Sequence, residues 1–466
     1  MGGARASPRA PRAPEEKTEG LGRVEGGISP GESPGPAGAT ASAPPWGQRG
    51  VIVGLCFFAF MLCNLDRVNL SIAILPMAED MSWDPLTVGL VQSSFFWGYL
   101  LTQVLGGVLA TKYGGKRVLG FGVLWWSLAT CVTPLAAKVS LPALFVARAA
   151  MGAGEGVAMP AMNTLVSRWV PRQERSRSLS LVYSGMYAGS VLGLGLCPRI
   201  VQETGWPSAF FLFGSAGLLW FLIWQAWAAS SPAESPHVSG AERAYILAGA
   251  AGAGARGGGT EMPETIPWRE ILSKKEVWAI IVSHFCHNWG TFILLTWMPS
   301  YYHDELGFDL MQSGLYSVLP WLGMIVVANA GGWLADTLIA RGWSTTSVRR
   351  GMQTVGFMGP ALCLSQLSSV NEPLEAVALM VVSQSLDAFS QSGLYSNHQD
   401  IAPRYSGVLL GMSNTAGVLA GVFGTAATGY ILQEGSWDDV WGVAVGLYLV
   451  GTVVWNLFST GEQIID

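Results

Sequence analysis

Asp66, Arg67, Arg148, Glu155, His284, His287 and Asp387 sit inside apolar stretches of this 466-residue chain. An ionisable side chain in hydrocarbon costs about 2.5–3.5 kcal/mol by insertion scales, so each needs a partner or a task. Arg148 and Glu155 are seven residues apart, which in a helix puts them on one face with a rise of about 10 Å between them. A guanidinium presents forked donors that match phosphate or carboxylate. A carboxylate on the same face can release a proton or take a cation when an anion arrives. Arg67 supplies a second cationic contact. Asp66, its neighbour, points about 100° away, and coupling and packing are equally open for it. The competing reading of Asp66, Arg148 and Glu155 is packing through buried ion pairs. His287 lies in Ser283-His-Phe-Cys-His-Asn-Trp-Gly290 and is assigned to substrate, or to a hydrogen-bonded contact between helices. Asp387 lies in the polar stretch Ser383-Gln-Ser-Leu-Asp-Ala-Phe-Ser-Gln-Ser392. Hydroxyls, amides and one carboxylate suit a hard cation such as Na⁺, and equally hydrate a cavity wall.

The elements that must position these residues are long apolar runs. Half of the chain is apolar and 12% is charged, against about 25% charged residues in soluble domains. Runs fall near 51–76, 87–110, 118–137, 141–166, 178–199, 208–228, 277–298, 312–335, 352–369, 373–396, 406–431 and 439–459. Each approaches or exceeds the length needed to cross about 30 Å of hydrocarbon, where the backbone must bond within its own segment. The spacing predicts twelve transmembrane helices. The isolated charges fall on the first, fourth, seventh and tenth.

Loop charge gives the orientation. Loops after the even runs hold Lys112, Lys116, Arg117, Arg172, Arg175, Arg177, Lys274, Lys275, Arg349, Arg350 and Arg404, whereas loops after odd runs hold acids such as Glu79, Asp80, Asp304, Glu305, Asp438 and Asp439. Both ends of the chain therefore lie with the basic loops, on the side from which insertion occurs. The halves also repeat. Gly107-Val-Leu-Ala-Thr111 aligns with Gly332-Trp-Leu-Ala-Asp336, and Gly189 and Gly193 align with Gly417 and Gly421. Gly107, Gly332 and Asp336 are expected to form a gating motif. The organisation expected is a tail over 1–49, a six-helix half over 50–228, a linker loop over 229–276 and a second six-helix half over 277–466. Two parallel six-helix repeats joined by a long basic-side loop resemble a major facilitator fold, all-α and polytopic.

Residues 1–49 are rich in Pro, Gly, Ala and Ser, too poor in large apolar side chains to fold alone. The first 14 contain Arg5, Arg9 and Arg12 without an acid, as in an organelle transit peptide. The glutamates that follow suit a disordered extension. The six Cys show no CxxC spacing and read as small buried hydrophobes. No basic stripe points to nucleic acid. HExxH, GxSxG and Walker signatures are absent, which argues against an enzyme or an ATP-driven pump. A receptor would not need a duplicated architecture with charges on corresponding helices.

Ser94-Phe-Phe-Trp-Gly-Tyr99, Gly154-Glu-Gly-Val-Ala-Met-Pro160, Glu174-Arg-Ser-Arg-Ser178, Asn397-His-Gln-Asp-Ile-Ala-Pro-Arg-Tyr405 and Ser413-Asn-Thr-Ala-Gly417 resemble the anion:cation symporter family. That family holds vesicular glutamate transporters, sialin and plastid anion transporters. Asn64-Leu-Asp-Arg-Val-Asn69, His284-Phe-Cys-His-Asn-Trp-Gly-Thr291 and the final Phe458 to Asp466 are most similar to the plastid sodium-dependent phosphate transporters. The resemblance implies an anion-binding basic pair, filled by Arg67 and Arg148, and a helix-4 carboxylate, filled by Glu155. Gln92 replaces a His and His287 replaces an Arg of the glutamate transporters, which argues against glutamate. The loop acid of the first half is replaced by Thr111. The implied function is secondary active transport of inorganic phosphate coupled to Na⁺ or H⁺, with ascorbate or another organic anion as the alternative. No cofactor is expected beyond the co-transported cation. A monomer embedded in lipid is expected, in the plastid inner envelope or thylakoid.

Overall fold

The computed structural model describes residues 47–251, 266–370, 372–403 and 405–465. Nearly all of the expected transit peptide, and Arg404, lie outside the described residues. The first half contains α1 (Gln48–Met81), α2 (Pro85–Tyr113), α3 (Gly115–Val139), α4 (Leu141–Gly156), α5 (Ala158–Trp169), α6 (Arg172–Thr204) and α7 (Trp206–Trp227). Two further helices follow, α8 (Gly240–Ala251) and α9 (Trp268–Ser273). The second half contains α10 (Lys275–Asp304), α11 (Leu310–Ala340), α12 (Thr345–Gln366), α13 (Pro373–Asp387), α14 (Leu394–Ile401), α15 (Ser406–Glu434) and α16 (Trp437–Phe458). Among the described residues, eight helices are long and apolar enough to cross a membrane: α1, α3, α6, α7, α10, α11, α15 and α16. The crossings α2, α12, α4–α5 and α13–α14 complete the major facilitator arrangement. The fold is helical throughout, as the apolar runs require.

Two of the expected continuous helices are interrupted, and the causes differ. The fourth run breaks at Val157, between α4 and α5. Pro160 has no N–H to offer the carbonyl of Gly156, and its ring crowds that carbonyl, so the break follows from the sequence. The tenth run breaks after Asp387 into a 3₁₀ turn, Ala388–Gln391, before α14. No proline causes this break. Instead, Gln353 of α12 donates from Nε2 to Ser390 Oγ at 3.0 Å and accepts from Leu394 N at 3.0 Å, satisfying the freed backbone and hydroxyl. Unwound backbone at membrane depth is tolerated where protein supplies such partners.

The linker over 229–276 also carries structure, in α8 and α9, while its residues 252–265 lie outside the described ones. Ser239 Oγ accepts from Glu242 N at 3.2 Å and caps the start of α8. The Glu242 carboxylate then accepts from Gln48 N and Arg49 N, both at 3.0 Å, and so closes the exposed first turn of α1. Arg49 also bonds Glu174 of α6 at 3.0 Å, and Tyr245 Oη donates to the same carboxylate at 3.0 Å. The linker helix is thus clasped to the basic-side ends of α1 and α6.

Within each half the repeat is visible in the packing. A Cβ on Gly189 or Gly193 of α6 would strike α1, at Met61 and Val68 respectively. A Cβ on Gly417 of α15 would strike Asn288 of α10, and one on Gly421 would meet Phe96 of α2 as well as Phe292 of α10. The aligned glycines therefore bring the first and fifth helices of each half into close contact. The two halves meet on the acidic side, where Gly89 of α2 lies against Thr425 and Gly429 of α15, and Gly314 of α11 against Leu194 and Pro198 of α6. Ser93 Oγ of α2 also donates to Val422 O of α15 at 2.8 Å.

Candidate functional site

The central charges of the first half converge from α1 and α4, held in place by α2. Gly98 of α2 and Gly152 of α4 face the Ala149 and Phe95 carbonyls of the opposite helix so closely that no Cβ fits at either. This approach sets Arg148 and Glu155 against the α2 aromatics. Arg67 Nη2 donates to Glu155 Oε2 at 2.8 Å, and Cys63 Sγ lies 3.2 Å from the same oxygen. Its guanidinium lies over the rings of Phe95 and Tyr99, at 5.0 and 5.1 Å from their centroids. The carboxylate of Glu155 is fully buried and its Oε1 has no partner.

Arg148 is placed differently. It is buried, its Nη1 meets only the Met151 sulfur at 2.9 Å, and its Nε has no partner. Its guanidinium lies 5.6 Å from the Phe95 centroid. Glu155 therefore pairs with Arg67 across the helices, and no bond joins it to Arg148 on its own helix. Asp66 is buried within electrostatic reach of both Arg148 and Glu155, and the Trp126 indole N–H is the donor facing it, outside strict hydrogen-bond geometry. Two guanidiniums and two carboxylates thus share one desolvated region, and their formal charges cancel.

Arg67 and Arg148 line a small cavity with Leu70, Ser71, Gln92, Phe95, Phe96 and Thr296. Its lining comes from α1, α2, α4 and α10, and so from both halves. The space measures about 10 Å³ for the centre of a water-sized sphere, roughly room for one water. Admitting an oxyanion there requires side chains to move. Of the two arginines on this cavity, Arg67 is the one already bonded to a carboxylate. Ser71, Gln92 and Thr296 add polar groups. Gln92 is visible in the sequence as a departure from the glutamate-transporter pattern, whereas Ser71 and Thr296 carry no signal that separates them from other membrane hydroxyls.

His287 and Asp387 do not line that cavity. They bond to each other, His287 Nδ1 to Asp387 Oδ1 at 3.0 Å, with Asp387 fully buried and its Oδ2 without a partner. Asp387 is the last residue of α13, just as Glu155 lies one residue before the end of α4. Each half therefore places a carboxylate at the point where its fourth helix breaks. The first is paired with an arginine and the second with a histidine.

The glycines and acid of the expected gating motif lie towards the basic-side ends of α2 and α11. A Cβ on Gly107 would approach Pro160 at 3.8 Å, and one on Gly332 would approach Ser392 Oγ at 3.9 Å. Asp336 is exposed. The strong ion pair in this region joins α12 to α14: Arg349 Nε and Nη2 bond Asp400 at 2.6 and 3.3 Å, and Nη1 donates to Ser392 O at 2.8 Å. In the sequence Arg349 reads only as part of a basic loop.

Comparison with known proteins agrees with this architecture. Residues 56–425 match the Major Facilitator Superfamily. The chain is 65% identical to the sodium-dependent phosphate transport protein 1, chloroplastic, of Arabidopsis thaliana, covering 91% of this chain and 82% of that protein. It is 64% identical to the chloroplastic ascorbate transporter of Arabidopsis thaliana, over 92% of this chain and 79% of that one. The probable anion transporter 4, chloroplastic, of Oryza sativa subsp. japonica is 63% identical over 94% and 74%. Among solved structures, a bacterial homolog of the lysosomal transporter Spinster superposes with a TM-score of 0.71 at 14% identity, over 88% of this chain and 96% of that one. A D-xylose-proton symporter superposes at 0.69 and 15% identity, over 89% and 99%. The chain belongs to the major facilitator superfamily and is a transporter rather than an enzyme.

Proposed function

We propose that this member of the major facilitator superfamily moves a compact oxyanion, inorganic phosphate first, across a plastid membrane together with a cation. The observation that carries the reading is the pairing at the centre. Arg148 is buried with an unpartnered Nε on a cavity between the halves, and beside it Arg67 is held by Glu155 at 2.8 Å. An anion entering this space takes donors from Arg148 and competes with Glu155 for Arg67. The displaced carboxylate is buried and must then be neutralised. A proton or Na⁺ supplied with the anion does this, which makes co-transport a consequence of charge balance. Alternating access between parallel repeats would then open this cavity to one side at a time.

Phosphate and ascorbate are both supported by relatives of nearly equal identity. Two guanidiniums on one cavity favour the more highly charged anion. The Arg/Ser-rich tail and the chloroplastic relatives favour a plastid membrane. The test is uptake of ³²P-phosphate by purified protein in liposomes under imposed Na⁺ or pH gradients, with unlabelled phosphate, ascorbate and glutamate as competitors. Saturable uptake that phosphate suppresses more strongly than ascorbate supports the reading. Stronger suppression by ascorbate reassigns the substrate, and no accumulation of any anion under either gradient refutes transport of this class.

A further inference from the structure

A second buried polar group lies in the other half, among residues that the anion site does not use. His284 Nδ1 of α10 lies 2.9 Å from Ser413 Oγ of α15, and His398 Nε2 of α14 lies 2.7 Å from the same hydroxyl. All three residues are at most 2% exposed. His398 Nδ1 is 3.1 Å from both the Leu394 and the Tyr395 carbonyl oxygens, and Ser413 Oγ is also 3.2 Å from Leu410 O. His284 Nε2 is buried without a partner.

These contacts dictate where the hydrogens are. Carbonyl oxygens only accept, so His398 Nδ1 must carry a proton. In the neutral ring Nε2 is then bare and accepts from the Ser413 hydroxyl at 2.7 Å, the shorter of the two contacts open to that one proton, the other being donation to Leu410 O at 3.2 Å. The Ser413 oxygen, having given its proton in that bond, accepts from His284 Nδ1–H. His284 Nε2 is left as a bare, unpartnered acceptor. The chain runs one way, from His284 through Ser413 to His398.

The geometry points to a two-position proton site formed by His284, Ser413 and His398. A proton arriving on His284 Nε2 makes that ring an imidazolium. Its Nδ1 proton passes to the Ser413 oxygen, and the proton already on Ser413 passes to His398 Nε2. The result is a neutral His284 protonated on Nε2 and a cationic His398 with both nitrogens donating, one to Ser413 and one to the carbonyls. One positive charge has moved from α10 to α14 with every bond replaced. The titratable groups against this site are His287 of α10 and Tyr395 of α14. The Tyr395 ring lies 5.0 Å from that of His284 and 5.6 Å from that of His287, and His287 is already bonded to Asp387. α14 begins just beyond the break in the tenth helix, so charge on His398 acts on a short segment with few helical bonds of its own. In the transport reading proposed above, on which this role rests, the site loads a proton in the second half while the anion loads in the first.

Two measurements test this, and the first does not depend on the substrate. The chain holds only five histidines, so ¹⁵N-histidine spectra of the full protein in liposomes are assignable by single His→Gln variants. At alkaline pH His284 and His398 should both be Nδ1–H tautomers, and on acidification His398 should become doubly protonated. An Nε2–H tautomer at His398 overturns the proposal, as does a ring that stays neutral at the lowest pH at which the protein is folded. The second measurement uses reconstituted His398→Gln and Ser413→Ala, with Ser413→Thr as the conservative rescue. Phosphate exchange at equal pH should stay within twofold of the original, while accumulation driven by a pH gradient falls at least tenfold and returns in Ser413→Thr. Unchanged pH-driven accumulation in both variants overturns the proposal. Failure of the unaltered protein to exchange phosphate instead counts against the transport reading and leaves the tautomer measurement to decide the proton site.

Discussion

Replacing Glu155 by Gln isolates the step on which coupling depends. Arg67 and Glu155 form a bond of 2.8 Å with the carboxylate fully buried. Removing one partner of such a pair leaves a buried charge uncompensated, at a cost of about 3–5 kcal/mol. An anion that draws Arg67 away from an ionised Glu155 meets this penalty, whereas one that arrives with a proton for Glu155 does not. With each 1.4 kcal/mol worth a factor of ten, anion affinity should differ by about 100- to 4,000-fold between the protonated and ionised forms. By reciprocity, anion binding raises the proton affinity of Glu155 by the same factor.

Gln keeps an acceptor for Arg67 and has no charge to be released, so the variant resembles the protonated form. Phosphate binding to purified Glu155→Gln should be tight and nearly independent of pH, while binding to the unaltered protein weakens as pH rises. In liposomes, accumulation against a gradient should disappear while some phosphate–phosphate exchange survives. A variant that binds with the original pH dependence would show that another group carries the linked proton. Loss of binding and exchange together, in a protein that still folds, would make Glu155 a substrate ligand or a structural residue.

Arg148→Lys keeps the charge but loses the forked donors, and uptake should fall at least about tenfold, as assayed with labelled phosphate in liposomes. Wild-type uptake in Arg148→Ala would remove this residue from the site. Glu242→Ala strips the cap from Gln48 and Arg49 and should cost about 1–2 kcal/mol, seen as a lower melting temperature in detergent with transport at saturation little changed. A chain beginning near Trp46 should fold and transport in liposomes yet fail to reach plastids in a green cell. Residues 1–49 fused to a fluorescent protein should enter plastids, and cytosolic fluorescence would refute the targeting role.

The parts of this molecule that were legible in the sequence are those fixed by one segment at a time. Hydropathy along the chain marks the crossings because backbone in lipid has no alternative to helix. The matched spacing of Gly189 and Gly193 with Gly417 and Gly421 marked the repeat, and all four now lie at close helix contacts. Pro160 foretells the break at Val157, whereas the break after Asp387 depends on Gln353 of α12, distant in sequence. The Ser239–Glu242 spacing is a helix-start signal masked by the Gly/Ala-rich composition that follows. Pairing was the least legible feature. Residues sharing a helix face drew attention to Arg148 and Glu155, but seven residues of rise keep their heads apart. The partner that reaches Glu155 comes from α1. The same limit hides the bond between His287 and Asp387, which in the sequence suit substrate and cation separately.

The two central carboxylates make the repeat instructive where it is not symmetric. Glu155 and Asp387 both lie in the last turn of an interrupted helix, where the carbonyl ends of the helix add partial negative charge. Neither position favours an ionised carboxylate without a cation beside it. In the first half that cation is Arg67, which is charged at every accessible pH, so the pair can be opened only by something that replaces one of its members. In the second half the partner is His287, whose Nδ1 lies 3.0 Å from Asp387 Oδ1. The duplicated scaffold therefore keeps a carboxylate at each break and gives it a different partner, and under the proposed mechanism the exchange of a carboxylate for an incoming anion is open to the arginine pair, whose guanidinium matches both.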